Sequence, residues 1–353
     1  MEKAEVMKSF RRRINNVNLN RFRSLFQIGA FLILVYGGYY LGLELGRGLP
    51  IMTCLYNHHL YGSGGCFFGY FQRLLTLPWP FYLTTPWGKK NLIMFLVFLM
   101  WFLFFNKAWC GYMCPLGTIQ DWISKLRQIL RVRYSSYTAR QHTILKTIKY
   151  FLLVCSLLAP MAIFNSFFGL PKLPIVWECP FCEICPGRKI ILLFIGELSE
   201  WHINFVCTDT IVLTSLGIWF TALFLIGGFF KKRFFCLFCP MNALHHLFTR
   251  LAFLKLYKDG SKCTRCGNCY RVCDAEILEV ADDVESRYIV NDRCSMCFKC
   301  VAACPEEDCL KVTFLGFPIF NSTEEGFIRR QNIMLGYPPK KRMACINKFK
   351  KKK

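Results

Sequence analysis

The chain of 353 residues is 54% hydrophobic, has a mean hydropathy of +0.30 and carries a formal net charge of +23. This composition is too apolar for an ordinary soluble domain, and the apolar residues form long runs. We therefore expect a multi-pass integral membrane protein with an attached soluble domain. The charge does not indicate nucleic-acid binding, because lysines and arginines cluster beside the apolar runs, as in cytoplasmic loops of membrane proteins.

Four apolar runs predict an α-helical membrane domain with four transmembrane helices. The second run is short for a span, but flanking lysines and tryptophans favour a crossing. The runs are Leu25 to Leu45, Leu92 to Phe105, Tyr150 to about Phe168, and Ile211 to Phe230. The segment from Cys66 to Trp87 is rich in aromatic residues and proline, and we expect it to be an interfacial loop.

The distribution of positive residues predicts that both termini face the cytoplasm. The N-terminal segment, the loop between the second and third spans and the stretch after the fourth span are basic, whereas the other two loops are sparser in Lys and Arg. We expect the chain in the inner (cytoplasmic) membrane. Its predicted parts are a basic N-terminus (1–24), a four-helix membrane domain (25–256), a cytoplasmic domain (257–315) and a basic tail (316–353).

Two cysteine runs near the C-terminus have the C-x2-C-x2-C-x3-C spacing of a two-cluster bacterial ferredoxin, a small α+β domain. In that arrangement, three cysteines of one run and the fourth of the other bind each [4Fe–4S] cluster. Zinc and disulfides fit this spacing less well. Asp274 stands where proline is frequent, and we expect its charge to tune the neighbouring reduction potential. The predicted sets are Cys263, Cys266, Cys269 and Cys304 for one cluster, and Cys294, Cys297, Cys300 and Cys273 for the other.

Two further cysteine motifs follow the second and fourth spans, on the predicted cytoplasmic side. In each, proline follows the last cysteine, where it redirects the backbone beside a buried cluster. The alternative is that these cysteines are small buried residues at helix ends. Their equivalent positions favour one shared [4Fe–4S] cluster at the inner membrane face. Its predicted ligands are Cys110, Cys114, Cys236 and Cys239.

A third motif lies between the third and fourth spans, on the predicted outer side. Its predicted ligands for an outer-face cluster are Cys179, Cys182, Cys185 and Cys66. The fourth ligand is open: Cys66 is preferred because neighbouring glycines allow close approach, and Cys54 and Cys207 are alternatives. A disulfide between outer cysteines is the competing interpretation. The cysteines not expected to bind a cluster are Cys155, Cys309 and Cys345.

The order of these motifs from Leu92 to Pro305 resembles the membrane polyferredoxin family. That family includes the NapH-type quinol dehydrogenase subunit of periplasmic nitrate reduction and the NosR-type and CcoG-type iron–sulfur membrane proteins. Two features depart from the family pattern. Two residues separate Cys236 from Cys239 where the family usually has three, and the Cys179 to Pro186 motif is additional.

The motifs and the resemblance imply an electron-transfer subunit of an oxidoreductase complex. It would carry electrons between the quinone pool, or an outer-face redox partner, and the cytoplasmic ferredoxin clusters. The alternative is an electron donor for the assembly or maturation of a metal centre in another protein. Implied partners are other subunits of a membrane redox complex, an outer-face cytochrome or reductase, and quinone. The sequence has no acid–base pair, nucleophile triad, P-loop or dinucleotide fingerprint, so no catalytic residue is predicted.

Overall fold

A computed structural model describes residues 19–41, 79–164, 184–196, 198, 201–203, 205 and 208–328 of the chain. The chain divides into two compact units. The helical unit comprises Leu25–Ala252 and Asp292–Met296, and the sheet unit comprises Met1–Ser24, Phe253–Asn291 and Cys297–Lys353. The short segment Asp292–Met296 therefore packs with the helices, although it includes Cys294, the first cysteine of the second run.

Most of the described chain before residue 253 is helical. Two helices there are long and apolar enough to cross a membrane, over Gly88–Phe105 and Ile211–Phe230, with mean hydropathies of 1.6 and 2.0. In chain order, the described helices are α1 (Leu19–Leu41), α2 (Trp79–Thr84), α3 (Pro86–Phe105), α4 (Ala108–Tyr112), α5 (Pro115–Ile129), α6 (Ala139–Phe164), α7 (Pro186–Ile195), α8 (Thr208–Phe230), α9 (Phe234–Phe238) and α10 (Pro240–Phe248).

Helix α3 is longer than the sequence predicted, because it starts at Pro86 rather than Leu92. The Thr85 hydroxyl caps this start by accepting the Gly88 N–H at 3.0 Å, and Pro86 occupies the first turn. The resulting 20 residues match the length of a span. The loop predicted for Cys66 to Trp87 is corrected in its described part, since Trp79–Thr84 is helical and Trp87 belongs to α3.

The first and third predicted spans overlap α1 and α6. In their described residues, neither of these two helices has a segment that is both long enough and apolar enough to count as a candidate span. Helix α6 begins well before Tyr150, because Thr138 and Gln141 form a reciprocal capping box with hydrogen bonds of 3.2 and 3.3 Å. The crossing of all four helices therefore stays a prediction.

One apolar core holds the helical unit together. Helices far apart in the chain contribute to it, and it buries the first turns of α5, α7 and α10. Burial of apolar surface is the main favourable term in such packing, so this core fixes where those three helices begin. The core includes Phe31, Val35, Phe98, Leu116, Leu153, Ile191, Phe224, Phe238, Met241 and Leu244.

The sheet unit contains three antiparallel strands in the order β1 (Leu254–Lys258), β2 (Leu310–Phe314) and β3 (Phe317–Asn321). Leu315 and Gly316 join β2 to β3, with φ values of 50° and 85°, as a two-residue hairpin turn requires. The predicted domain limits at residues 257 and 315 cut through this sheet. Short helices α11 (Asn268–Arg271), α12 (Glu279–Asp282) and α13 (Lys299–Ala303) lie between β1 and β2.

Replacement of Gly227 by alanine is expected to destabilise the helical unit. A Cβ at Gly227 would lie 2.3 Å from the Phe234 ring, whereas one at Gly228 would make ordinary contacts with the Gln120 side chain at 3.7 Å and Ile123 at 3.9 Å. Both substitutions gain the helix propensity of alanine, so their difference isolates an overpacking cost of about 1–3 kcal/mol. Thermal unfolding in detergent should give the lower midpoint for Gly227→Ala. Equal midpoints would show that the Phe234 ring moves aside at no cost.

Candidate iron–sulfur sites

Three helices of the helical unit begin with a cysteine followed by proline. Cys114, Cys185 and Cys239 are the N-cap residues of α5, α7 and α10, with φ/ψ angles of −63/117°, −66/123° and −65/122°. A residue before proline is held in this extended region by steric contact, and proline favours the first helical turn. Each cysteine therefore lies at a helix N-terminus, where the helix dipole favours the thiolate form.

The four cysteines predicted for the inner membrane-face cluster lie close together. Cys110 and Cys114 follow α3, and Cys236 and Cys239 follow α8. Burial, and next the neighbouring Cys114 and Cys236, raise the pKa of Cys110 to about 12. Burial also raises the pKa of Cys239 well above its usual value, with smaller contributions from the other three thiols. The structure thus brings the ends of two apolar helices together around one group of thiols.

A buried ion pair holds this group in place. The Arg233 guanidinium donates to both Asp121 carboxylate oxygens at 3.1 and 2.8 Å, and to the Cys110 carbonyl at 3.2 Å. The Gln27 amide donates to Asp121 at 2.8 Å and to the Gly111 carbonyl at 3.1 Å. A guanidinium matches a carboxylate in this two-point geometry. The pair therefore ties α4 and α5 to the residue that precedes α9.

Cys185 does not lie where the sequence placed it. It is buried in the same apolar core as Cys239 and Leu116. A Cβ at Gly187 would lie 3.4 Å from both the Cys185 Sγ and a Leu116 methyl group. Because Leu116 directly follows Cys114-Pro115, Cys185 lies at the same end of the helical unit as the other Cys-Pro motifs. This contradicts the predicted separation of Cys185 from those motifs, whereas the membrane face on which they lie stays a prediction.

The physical reason is the length of α7. The sequence predicts a loop that stays on one side of the membrane between two spans. Helix α7 has 10 residues, which is too short to cross a bilayer. Its start is instead buried in the core of the helical unit. The other residues of the predicted outer-face set lie outside the described residues, namely Cys66, Cys179 and Cys182, as do the alternatives Cys54 and Cys207.

The cysteines predicted for the first ferredoxin cluster line a single cavity of the sheet unit. The cavity has a volume of about 330 Å³, its mouth included, and Val280, Ala281 and Leu310 form part of its wall. The short helices α11 and α13 place Cys269 and the residue before Cys304. Local C-x2-C spacing and the packing of two helices therefore suffice to gather the set Cys263, Cys266, Cys269 and Cys304.

Cys309, which was not expected to be a ligand, is a fifth thiol in the wall of this cavity. It is buried, and its Sγ lies 3.6 Å from the Asp259 carbonyl oxygen. The Cys309 side chain also interacts with the Cys304 thiol, and this interaction lowers the pKa of Cys304. Cys309 has one S–H, which it donates to the Asp259 carbonyl. A charged acceptor binds a donor more strongly than a neutral one, so we expect an ionised Cys304 to receive this S–H instead.

Lys258 is a second residue of the cavity wall that sequence reasoning missed. Its ammonium group is buried and donates to the carbonyls of Val280 at 2.8 Å, Ala281 at 3.1 Å and Asp283. A signal was present in the sequence, because Lys258 is in phase with Leu254 and Leu256, which face the core of the sheet unit.

The second predicted ferredoxin set is divided between the units. Cys294 lies in the segment Asp292–Met296 of the helical unit, whereas Cys273, Cys297 and Cys300 belong to the sheet unit. The joint role of these four cysteines therefore stays a prediction. Within the sheet unit, the Asp274 carboxylate accepts from the Lys299 ammonium at 2.6 Å and lies 3.7 Å from the Arg23 guanidinium.

The thiol groups fit a polynuclear iron–sulfur cofactor. Among the described side chains, no three His, Cys, Asp or Glu residues are grouped as ligands of a single metal ion. Four cysteines of the helical unit nevertheless lie close enough for their charges to interact, and the four predicted ligands line one cavity of the sheet unit together with Cys309. Iron–sulfur clusters are held by such sets of four cysteine thiolates, and the buried cations Arg233 and Lys258 would offset their negative charge.

These features define a ferredoxin-type iron–sulfur protein, and comparison with protein families agrees. A family described as a 4Fe-4S binding domain matches residues 90–133 and again residues 212–257. A 4Fe-4S dicluster domain matches residues 255–305. The chain is a 4Fe-4S ferredoxin-type electron transport protein.

Its relatives are distant and include ferredoxin-type proteins, which confirms the resemblance seen in the sequence. An uncharacterised protein of Methanocaldococcus jannaschii is 26% identical, over 58% of this chain and 71% of its own length. Ferredoxin-type protein NapH of Haemophilus influenzae is 23% identical, over 57% and 61%. The putative electron transport protein YccM of Escherichia coli is 24% identical, over 61% and 53%. No solved structure matches the chain.

Arg233→Met is expected to lower the free energy of unfolding by about 3–5 kcal/mol, the usual cost of leaving one buried charge of a pair unpartnered. Lys232→Met is the matched control, since the half-buried Lys232 ammonium lies over the Tyr134 ring at 4.5 Å. Chemical unfolding in detergent measures both. Adding Asp121→Asn to Arg233→Met should restore part of the loss, and no recovery would contradict the assigned pairing.

Cys309→Ala is expected to keep the iron content of the protein and to make one reduction potential more negative. The substitution removes a hydrogen bond to a ligand sulfur. Such a bond stabilises the reduced cluster, which carries more negative charge, and therefore raises its reduction potential. Redox titration followed by EPR measures the potential. Loss of about four iron atoms per chain, the content of one [4Fe–4S] cluster, would instead make Cys309 a ligand.

Proposed function

We propose that this chain is the iron–sulfur electron-transfer subunit of a membrane redox complex. In this proposal it carries electrons between the quinone pool, or an outer-face redox partner, and the ferredoxin cysteine sets on the cytoplasmic side. A bound [4Fe–4S] cluster supplies the redox chemistry, with a potential set by burial, charge and hydrogen bonds to sulfur. The protein supplies thiols, buried cations and a low-dielectric surrounding.

The grouping of Cys110, Cys114, Cys236 and Cys239 is the observation that carries this proposal. These thiols come from the chain just after two apolar helices of spanning length. A redox centre at that position would connect carriers inside the bilayer with a soluble ferredoxin domain. A ferredoxin that acts only in solution has no need of thiols at the ends of membrane helices.

The proposed topology has four spans with both termini in the cytoplasm. Positive residues support it, because they accompany the same ends of the helices as the Cys-Pro motifs do. Arg140 lies in the first turn of α6, and Lys231 and Lys232 follow α8, all of them at least partly exposed. Positive residues are retained on the cytoplasmic side of membranes.

The position of Cys185 favours quinone as the membrane-side partner. With Cys185 beside the other Cys-Pro motifs, the described cysteines of these motifs lie at one end of the helical unit. A lipid-soluble carrier can approach such a group from within the bilayer, whereas an outer-face protein would have to bridge a hydrocarbon layer of ~30 Å. The proposal therefore does not include an outer-face cluster.

Iron and acid-labile sulfide per chain, measured after anaerobic purification, test this proposal. We expect about twelve of each, for three clusters with four iron atoms apiece. Cys239→Ala should lose about four iron atoms, the content of one cluster. Cys155→Ala, an exposed thiol on α6, is the matched control and should lose none. About eight iron atoms in the unaltered protein, enough for two clusters, would confine clusters to the ferredoxin sets.

Reduction by a quinol separates the proposal from its alternative. The unaltered protein, freed of oxygen, should lose visible iron–sulfur absorbance when a soluble quinol analogue is added, and Cys239→Ala should lose it far more slowly. If the clusters are present but no quinol reduces them, the alternative of electron delivery to a metal centre under assembly gains support.

A further inference from the structure

Two buried lysines bind the same backbone carbonyl in the helical unit. The ammonium groups of Lys107 and Lys149 donate to the Asp292 carbonyl oxygen at 3.1 and 3.2 Å. Lys149 also donates to the Asp292 carboxylate at 2.5 Å. The exposed fractions of Lys107, Lys149 and Asp292 are 1%, 0% and 8%. Two lysines and one aspartate leave one net positive charge in this buried cluster.

This cluster lies between two predicted ligands. Lys107 precedes Cys110 by three residues, and its carbonyl accepts the Cys110 N–H at 3.0 Å. Asp292 precedes Cys294 by two residues, in the segment that packs with the helical unit. Cys110 belongs to the thiol group of the helical unit, and Cys294 begins the second ferredoxin run. The lysines therefore hold one residue of each set near the same buried charge.

The Lys107 side chain lies within electrostatic range of both cysteines. Burial lowers the pKa of Lys107 to about 8, and negative charge at Cys294, and to a smaller extent at Cys110 and Asp292, opposes the shift. Both cysteines are thus close enough to Lys107 for their charges to act on it, and the interaction is mutual. A neutral side chain could also donate a hydrogen bond to the Asp292 carbonyl. Because burial of a charged side chain is costly, that hydrogen bond alone does not account for a lysine at this position.

We propose that Lys107 is a positioning residue whose single buried charge raises the reduction potentials of two iron–sulfur sites together, the one that includes Cys110 and the one that includes Cys294. This inference rests on the proposed function, since both cysteine sets must hold clusters. The reduced form of a site carries one more negative charge than the oxidised form, so a nearby cation favours reduction. One cation shared by two sites shifts both potentials in the same direction.

Redox titration followed by EPR on the full-length protein tests the inference. Cys239→Ala and Cys294→Ala first assign the signals of the two sites by their loss. In Lys107→Met, the ratio of reduced to oxidised protein at a fixed potential should fall about tenfold at both sites, which is ~59 mV for a one-electron couple. Lys107→Arg, which keeps the charge, should stay near the unaltered protein.

Lys146→Met is the matched control, because it removes an exposed lysine from α6 beside Lys149. It should change neither potential, since water and salt screen an exposed charge. Equal shifts in Lys146→Met and Lys107→Met, or a shift at only one site in Lys107→Met, would overturn the inference. Absence of either assigned signal from the unaltered protein would instead count against the proposed function.

Asp292→Asn provides an independent test if Lys107→Met does not fold. It keeps the backbone carbonyl that both lysines bind but removes the negative charge, so both potentials should rise. A fall, or no change at either site, would contradict the electrostatic role and leave Lys107 with a structural one.

Discussion

The ion pair between Arg233 and Asp121 is the interaction on which the thiol group of the helical unit depends. It joins the end of one apolar helix to the segment that follows another, and it also holds the Cys110 carbonyl. Both charges are largely buried, with exposed fractions of 2% and 13% for the two side chains. A buried pair has few alternative geometries, because each charge would be left unpaired in them. The relative placement of Cys110 and Cys236 follows from this pair.

Local patterns in the sequence carry much of the site, whereas distant pairings do not. Cys-Pro motifs predict helix starts through the steric effect of proline, and the structure has three of them. The C-x2-C spacing likewise predicts the thiols of the ferredoxin cavity. Nothing local indicates that Arg233 would meet Asp121. The position of Cys185 was missed because topology was inferred from charged loops, and such counting does not anticipate a short helix whose start is buried.

Buried cations explain part of the positive charge of the chain. Sequence reasoning assigned the lysines and arginines to the membrane surface, where many of them belong. Lys107, Lys258 and Arg233 are instead buried, each near cysteines of a candidate site. A cation in a low-dielectric interior acts strongly on nearby charge. Burying such a cation costs folding free energy, and binding of an anionic cofactor offsets that cost. Loss of the cofactor should therefore destabilise the fold as well as abolish redox activity.

The two matches to one 4Fe-4S binding domain correspond to a structural duplication. Each copy has an apolar helix, a five-residue helix that carries the first cysteine, and a helix that starts at Cys-Pro. One copy supplies only half of the thiols, so a single-copy ancestor could complete the set only as a symmetric homodimer. Fusion frees the copies to diverge. Lys107 and Arg233 occupy equivalent N-cap positions, yet one binds Asp292 and the other Asp121.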